Sequence, residues 1–319
     1  VTLWDVAGER QVEITGNDAE KFVEYITPRD ISKCKIGQCM YILLTEKDGG
    51  IVNDPVLLKL NKNHFWLSIA DSDVLLWCKG IASSMNCDVN IIEPDVSPLA
   101  LQGPKAPEVM SKIVGTWAKE LSFFYFKETT IQNIPVVIAR SGWSGESGYE
   151  IYLRDKLLGN DLWELIMNAG KEYNIAPATP SQINRIESGM LSYGSDMTLN
   201  ENPFDIGLER LVDLNKQVNF LSKEALNTVN QQGAKKELIG IEIISEPFNE
   251  FVADRLILQF NDQEIGKITS SVYSPRLKKN IGLALINKRN EEIIEGYTVY
   301  MNGITAKVKI CNLPFLKNK

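Results

Sequence analysis

The stretch with the clearest structural pattern in the chain is Ile134-Pro-Val-Val-Ile-Ala-Arg-Ser-Gly-Trp-Ser-Gly-Glu-Ser-Gly-Tyr-Glu-Ile-Tyr-Leu153. An apolar, β-branched segment leads into a glycine-rich connection and then into a segment that alternates with a period of two. This pattern predicts a β-hairpin. On its second strand, Tyr149 and Ile151 lie on one face, and Glu150 and Tyr152 on the other. Two interpretations are open: the hairpin is an ordinary one with Glu150 exposed to solvent, or the carboxylate of Glu150 holds a nitrogenous ligand.

Strand-like and helix-like segments alternate around this hairpin, and several of the strands are linked by turns. Residues 1–15 predict a pair of strands joined near Gly8, and residues 19–26 predict a helix. Longer helices are predicted at 157–173 and 181–193. Together these elements indicate an α+β fold.

The last part of the chain predicts only short strands separated by turns. They are Leu238–Ile244, Arg255–Gln259, Glu264–Thr269, Ile281–Ile286, Tyr297–Met301 and Thr305–Ile310. This pattern is typical of a small antiparallel barrel or sandwich. We therefore predict a body at 1–228 made of two interleaved α+β domains, a polar linker at 229–236 and a C-terminal domain at 237–319.

Charge, hydropathy and cysteine usage exclude several classes of function. The formal net charge is −7, whereas a nucleic-acid binder normally carries a basic patch. No run of 18 apolar residues is present, so no membrane association is expected. Five cysteines without a Cys-x-x-Cys spacing indicate a reducing compartment, and we expect a cytoplasmic protein.

The only histidine is His64, in a segment that we interpret as a solvated turn. One histidine excludes a multi-histidine metal site, and no metal is expected. Any chemistry must therefore use carboxylates, aromatic side chains and a bound small molecule.

Six segments follow one another along the chain. They are Gly49-Gly-Ile-Val-Asn-Asp54, Ala100-Leu-Gln-Gly-Pro-Lys105, Arg140-Ser-Gly-Trp-Ser-Gly-Glu-Ser-Gly-Tyr-Glu-Ile151, Arg185-Ile-Glu-Ser-Gly-Met-Leu-Ser-Tyr-Gly-Ser-Asp196, Pro203 with Gly207-Leu208, and Ser274-Pro-Arg-Leu-Lys-Lys-Asn280. In this order they resemble the motifs of the aminomethyltransferase family, whose archetype is the T-protein of the glycine cleavage system. The resemblance implies a three-domain cloverleaf of the aminomethyltransferase type, with a channel for tetrahydrofolate and a C-terminal antiparallel β-barrel domain. It also implies that a segment is missing ahead of Val1.

Two of these motifs depart from the T-protein pattern. Gly142-Trp-Ser-Gly-Glu146 stands where a T-protein carries Gly-Tyr-Thr-Gly-Glu, and Asn53-Asp-Pro55 stands where it carries Asp-Asp-Leu. Both departures resemble the tetrahydrofolate-dependent dimethylsulfoniopropionate demethylase branch of the family. That branch implies transfer of a methyl group to N5 of tetrahydrofolate, giving 5-methyltetrahydrofolate and 3-(methylthio)propanoate. The implied partners are dimethylsulfoniopropionate, a small molecule that donates the methyl group, and tetrahydrofolate, which is a co-substrate. Whether the chain forms a homodimer is left open.

The resemblance also implies roles for individual residues. Asp54 matches the family's catalytic carboxylate near the pterin, and Glu150 matches a glutamate that hydrogen-bonds the pterin ring. Trp143 and Tyr152 would place aromatic faces against the sulfonium. The further residues implied to bind folate are Tyr41, Phe124, Tyr125, Phe126 and Arg185, and Tyr125 stands where the demethylase branch carries a glycine.

Several alternatives stay open at this point. Arg185 either holds a carboxylate of folate or substrate, or forms an ion pair with Glu187 or Asp196. The chain could instead be an aminomethyltransferase with a lipoyl carrier partner, or a demethylase of another methylated molecule. A folate-binding accessory protein of iron–sulfur cluster assembly is a third reading, but its Lys-Gly-Cys-Tyr-x-Gly-Gln motif is absent.

Overall fold

The computed structural model describes residues 1–69, 73–252, 256–288, 296–301 and 303–316. The chain forms two compact units and passes between them several times. Unit 1 consists of Val1–Leu44, Asn53–Pro180 and Asn215–Leu221, and unit 2 of Thr45–Val52, Ser181–Leu214 and Ser222–Lys319. The domain bounds at 228 and 237 stay a prediction.

The strands and helices up to residue 178 have the following bounds. The strands are β1 (Thr2–Asp5), β2 (Gln11–Thr15), β3 (Gln38–Tyr41), β4 (Leu44–Thr45), β5 (Ile51–Asn53), β6 (Val56–Asn61), β7 (His64–Ser68), β8 (Asn90–Ile92), β9 (Ser97–Gln102), β10 (Phe126–Ile131), β11 (Ile134–Ala139), β12 (Gly148–Leu153) and β13 (Ala176–Ala178). The helices are α1 (Ala19–Ile26), α2 (Val74–Met85), α3 (Ala106–Val114), α4 (Trp117–Glu120) and α5 (Gly159–Gly170).

The predicted central hairpin is confirmed and lies inside a six-stranded sheet. The strand order of this sheet is β10-β11-β12-β9-β1-β13, and Ile138 of β11 faces Ile151 of β12 in an antiparallel pair. Tyr149 and Ile151 are fully buried in a core that also includes residues of α3 and α5. Tyr152 points to the opposite face, as the alternation predicts.

A five-stranded sheet of order β3-β6-β7-β2-β8 covers that opposite face. Cys39, Leu58 and Trp66 from this sheet form one apolar cluster with Val137 and Tyr152 from the six-stranded sheet. Burial of these side chains stabilises the layer between the two sheets, at about 25 cal/mol per Å² of apolar surface. The candidate site lies in this layer.

Residues 1–15 contain two strands, as predicted, but the prediction that they pair with each other is wrong. β1 pairs with β9 and β13, whereas β2 pairs with β7 and β8 in the other sheet. Leu3 of β1 is buried in the core beneath the six-stranded sheet, so its apolar side chain is removed from water there. The connection at residues 6–10 therefore runs from one sheet to the other.

The helix predicted at 181–193 is much shorter than expected. α6 (Gln182–Glu187) ends where Gly189 takes a φ of +67° and donates its backbone N–H to the carbonyl of Ile186. Glycine adopts this left-handed conformation without a steric cost and commonly ends helices. The helix therefore does not continue beyond Gly189, although the spacing of residues up to 193 predicted that it would.

Unit 2 contains α6, α7 (Lys223–Gln232) and the predicted C-terminal strands. They are β14 (Lys236–Ile244), β15 (Ile257–Phe260), β16 (Gln263–Ser274), β17 (Lys279–Asn287), β18 (Tyr297–Met301) and β19 (Ile304–Cys311). They form a closed antiparallel barrel in the order β14-β17-β16-β15-β18-β19, so the predicted α+β fold with a C-terminal barrel is confirmed. Arg255, the predicted start of the second strand, lies outside the described residues. Among the described helices, none has the length and apolar character needed to span a membrane.

Candidate active site

Glu150 is the centre of the candidate site. It lies on β12 between Ala139 of β11 and Ala100 of β9, and its side chain is half-buried. Ser141 donates a hydrogen bond from its Oγ to Glu150 Oε2, and the Tyr152 hydroxyl approaches the same oxygen at 3.4 Å. The strand alternation thus brings a carboxyl and a phenol together, as predicted.

The loop before β12 is held in place by Gln102 of β9, which is 2% exposed. Gln102 Nε2 donates to the carbonyl of Ser141 over 3.3 Å, and its Oε1 accepts from Ser144 Oγ at 2.6 Å. A Cβ at Gly142 or Gly148 would come within 2.3 Å of the Gln102 side chain. Glycine is therefore required at both positions, and the packing that requires it also positions Ser141 against Glu150.

Two carboxyl groups share this part of unit 1. Burial raises the pKa of Glu150, and the hydrogen bonds from Ser141 and Tyr152 oppose that shift. Burial also raises the pKa of Glu9, in the connection between β1 and β2, to about 8, and the negative charge of Glu150 adds to the effect. Within the described ranges, no ion pair with lysine or arginine reaches either carboxyl. The cluster around these two carboxyl groups is therefore rich in hydrogen-bond acceptors.

Asp54 is half-buried directly after β5 and accepts a hydrogen bond from the Tyr41 hydroxyl at 2.9 Å. The Asp54 backbone N–H donates to Asn53 Oδ1 over 2.9 Å, which fixes the turn before Pro55. Tyr41 is two residues beyond Cys39 on β3, so both side chains lie on the same face of that strand. Cys39 packs against Tyr152, and this places the Tyr41–Asp54 pair on the face of the sheet that carries the site.

The predicted aromatic residues differ in how they relate to Glu150. Tyr152 is 1% exposed and Phe126 is 7% exposed, and both belong to the layer between the sheets. Phe124 packs against that layer with a φ of +61°, an uncommon conformation for a bulky residue. Tyr125 and Trp143 are half-buried, Trp143 in the loop held by Gln102.

Arg185 belongs to unit 2 and is fully buried. Its guanidinium donates to Asp196 Oδ2 at 2.7 Å and to Ser270 Oγ at 2.7 Å. The Asp196 ion pair that the sequence left open is thus present, while Glu187 pairs with Arg276 instead. The guanidinium is enclosed by these protein partners, and a folate-binding role of Arg185 stays a prediction.

His64 is not the solvated turn residue that the sequence suggested. It begins β7, is half-buried, and its Nε2 lies 2.7 Å from Glu13 Oε1. Glu13 Oε1 also accepts from Trp66 Nε1 at 2.9 Å, so His64 takes part in a polar contact on the face of β7 that meets Tyr152. In the part of the chain that the structure describes, no cluster of His, Cys, Asp and Glu could hold a metal ion.

Sequence reasoning missed Glu9, Gln11, Ser68 and Ser141. Gln11 of β2 faces Ser68 of β7 in the antiparallel register, and Ser68 Oγ lies 3.4 Å from the Tyr152 hydroxyl. Gln11 alternates with Val12 along β2, which is the pattern of a strand with one face in solvent. The sequence of β2 thus indicates a polar face. It does not indicate that the six-stranded sheet covers this face and makes it part of the site.

Comparisons with known proteins match this chain from end to end. A family model of the GCVT N-terminal domain matches residues 1–216, and one of the glycine cleavage T-protein C-terminal barrel domain matches residues 236–317. A crystal structure of the glycine cleavage system aminomethyltransferase T from Bartonella henselae has the same fold. It superposes with a TM-score of 0.88 at 23% identity, over 100% of this chain and 87% of that one.

Two curated relatives have higher sequence identity. Dimethylsulfoniopropionate demethylase of Ruegeria pomeroyi is 38% identical over 90% of this chain and 78% of its own length. An aminomethyltransferase of Thermoanaerobacter pseudethanolicus is 32% identical over 99% of this chain and 86% of its own length. The chain is therefore similar in sequence to two enzymes that have different activities.

Proposed function

This chain belongs to the glycine cleavage T-protein family of tetrahydrofolate-dependent transferases, and from that premise we propose that it is a dimethylsulfoniopropionate demethylase. The reaction would move a methyl group from the sulfonium to N5 of tetrahydrofolate. Its products would be 5-methyltetrahydrofolate and 3-(methylthio)propanoate.

The observation that carries this proposal is the acceptor-rich cluster around Glu150. Two carboxyls with raised pKa values lie beside aromatic rings, and no basic ion-pair partner reaches them in the described residues. Such a site favours a positively charged methyl donor, because a cation stabilises the ionised carboxylates and is attracted to aromatic faces. An aminomethyl donor that carries a neutral amine does not have this fixed charge.

The proposed reaction needs alignment more than proton transfer to the leaving group. The bond from sulfur to the methyl carbon breaks as the bond from N5 forms, and the sulfur keeps the electron pair as a neutral thioether. The N5 proton is then lost to a base. Correct alignment of the two reactants can lower the barrier by about 7–11 kcal/mol. Trp143 and Tyr152 are proposed to face the sulfonium, at about 0.5–2 kcal/mol per ring.

We assign the base role to Asp54 and a pterin-binding role to Glu150. Asp54 is oriented by the Tyr41 hydroxyl, and a carboxylate is the kind of group that can accept the N5 proton. Glu150 presents a carboxyl that already accepts from Ser141 and can accept further from pterin N–H groups. Phe124, Tyr125 and Phe126 are proposed to form a wall beside the folate.

Replacing Glu150 by glutamine should weaken tetrahydrofolate binding about 10- to 100-fold. A hydrogen bond to a charged group contributes about 1.5–3 kcal/mol, and glutamine keeps the shape while it removes the charge. The measurement is isothermal titration of tetrahydrofolate into the parent and the Glu150→Gln variant. Glu128→Gln is the matched control, because Glu128 is an exposed residue of β10 in the same sheet. An unchanged dissociation constant in Glu150→Gln would remove this residue from the folate site.

The aminomethyltransferase activity is the second candidate, because 32% identity extends over 99% of this chain. It differs in its donor, an aminomethyl group on a lipoyl carrier protein. The Trp143 side chain, where a T-protein carries tyrosine, favours the sulfonium donor instead.

The deciding experiment incubates the protein with tetrahydrofolate and either dimethylsulfoniopropionate or an aminomethyl-loaded lipoyl carrier. We expect 5-methyltetrahydrofolate, detected by chromatography, only when dimethylsulfoniopropionate and tetrahydrofolate are both present. Formation of methylenetetrahydrofolate from the loaded carrier would instead support the aminomethyltransferase. Folate binding without either product would point to another methylated donor, and loss of folate binding would contradict both activities.

A further inference from the structure

Gln11 contains a buried acceptor that the protein itself does not use. The residue is 1% exposed, and its Oε1 has no hydrogen-bond partner within the described residues. Its Nε2 donates to the backbone carbonyl of Glu9 at 2.6 Å, which fixes the orientation of the amide. The unsatisfied atom is therefore the carbonyl oxygen. An unsatisfied buried acceptor is destabilising, so such atoms are few in folded proteins and each calls for an explanation.

The position of Gln11 places this acceptor beside the candidate site. Gln11 is the partner of Ser68 across β2 and β7, so their side chains lie next to each other on one face. Ser68 Oγ lies 3.4 Å from the Tyr152 hydroxyl, which lies 3.4 Å from Glu150 Oε2. Polar side chains thus extend from Gln11, through its cross-strand neighbour Ser68 and Tyr152, to the carboxyl of Glu150.

Glu9 is held at the same place by the connection between the two sheets. Its backbone N–H donates to the carbonyl of Val6 at 2.8 Å, and its own carbonyl accepts from Gln11. Its side chain is half-buried, and the negative charge of Glu150 adds to the rise that burial causes in its pKa. The Glu9 carboxyl has no lysine or arginine partner in the described part of the chain.

We propose that Glu9 and Gln11 form a subsite that recognises the onium cation of the methyl donor. A sulfonium carries a full positive charge but no N–H or O–H, so acceptors can meet it only through charge and through C–H···O contacts of its methyl groups. A carboxyl group, together with an amide oxygen that has no hydrogen-bond partner in the described residues, has this chemistry. Glu150 serves the pterin, whereas Glu9 and Gln11 select a charged donor over a neutral one. This inference rests on the proposed function and names the part of the site that sets donor specificity.

The test compares two ligands that differ by one methyl group and one charge. Dimethylsulfoniopropionate and 3-(methylthio)propanoate are titrated into the full chain, into Glu9→Gln and into Gln11→Met. We expect Glu9→Gln to weaken sulfonium binding about 10- to 100-fold and Gln11→Met about 3- to 10-fold, with binding of the thioether unchanged. Glu237→Gln, an exposed carboxylate of the barrel, is the control.

Three results would overturn the subsite. They are equal loss of both ligands, unchanged sulfonium binding in Glu9→Gln, and a loss confined to tetrahydrofolate. If Glu9→Gln does not fold, as judged by circular dichroism, Gln11→Met and the charge-retaining Glu9→Asp decide. Glu9→Asp should then keep the preference for the sulfonium, and a complete loss of that preference in a folded Glu9→Asp would contradict the role of charge.

A separate probe distinguishes failure of the subsite from failure of the proposed function. If the parent produces no 5-methyltetrahydrofolate from dimethylsulfoniopropionate, trimethylsulfonium is titrated in its place. Binding that Glu9→Gln weakens at least about tenfold would keep the subsite and reject only the proposed donor. No binding of trimethylsulfonium to the parent would reject the subsite as well.

Discussion

Replacing Asp54 by asparagine should lower the rate of methyl transfer about 100- to 10,000-fold, the usual contribution of a positioned general base. Asparagine has the same shape and can still accept the 2.9 Å hydrogen bond from Tyr41, but it cannot take the N5 proton. The measurement is a single-turnover assay of 5-methyltetrahydrofolate formation, with tetrahydrofolate binding measured separately. We expect the dissociation constant for tetrahydrofolate to change by no more than about threefold, because asparagine keeps the shape of the side chain proposed to lie near the pterin ring.

The same substitution separates catalysis from a purely structural role of Asp54. Asparagine caps a turn before a proline about as well as aspartate does, so a structural residue would tolerate it. Asp48→Asn, in the exposed turn before Gly49, is the control for loss of a carboxylate. Tyr41→Phe should give a smaller loss, because it removes only the group that orients Asp54. Near-normal turnover in Asp54→Asn would exclude the base role.

The parts of the fold that the sequence predicted are those that depend on local periodicity. The alternation of Glu150 and Tyr152 against Tyr149 and Ile151 determines which face of β12 meets which layer, and the structure follows it. The six C-terminal strands were predicted for the same reason, since each alternates between turns. Helix α1 was predicted with its observed bounds of Ala19–Ile26, because its apolar spacing and its flanking residues agree.

The parts that the sequence did not predict depend on contacts between distant segments. Nothing local to residues 1–15 indicates that β1 and β2 enter different sheets, and this crossing is what brings Glu9 toward Glu150. The alternation of Gln11 with Val12 likewise does not indicate that the polar face of β2 is covered, yet Gln11 is 1% exposed. Arg185 likewise has a motif that fits either a ligand or an ion pair. The structure shows the ion pair with Asp196 and the contact with Ser270, which the motif alone could not indicate.

The Arg185–Asp196 pair makes a different kind of contribution from the candidate site. Asp196 Oδ1 accepts from Thr269 Oγ1 at 2.6 Å and from Ser270 Oγ at 2.7 Å, so the pair connects α6 to β16 within unit 2. Burial lowers the pKa of Arg185, and the charge of Asp196 opposes that shift. Removal of one partner would leave a buried, uncompensated charge, whereas removal of both would not.

We therefore expect Asp196→Asn to destabilise unit 2 by about 3–5 kcal/mol, and Arg185→Met combined with Asp196→Leu to cost less than the two single changes together. All six tryptophans lie in unit 1, so tryptophan fluorescence would miss this change, and hydrogen exchange of the β16 amides is the suitable measurement. Arg210→Met, at an exposed arginine of the same unit, is the control. If Arg185 binds folate instead, Arg185→Met would weaken tetrahydrofolate binding while the β16 amides keep their protection. That result would return Arg185 to the folate site and contradict its structural role.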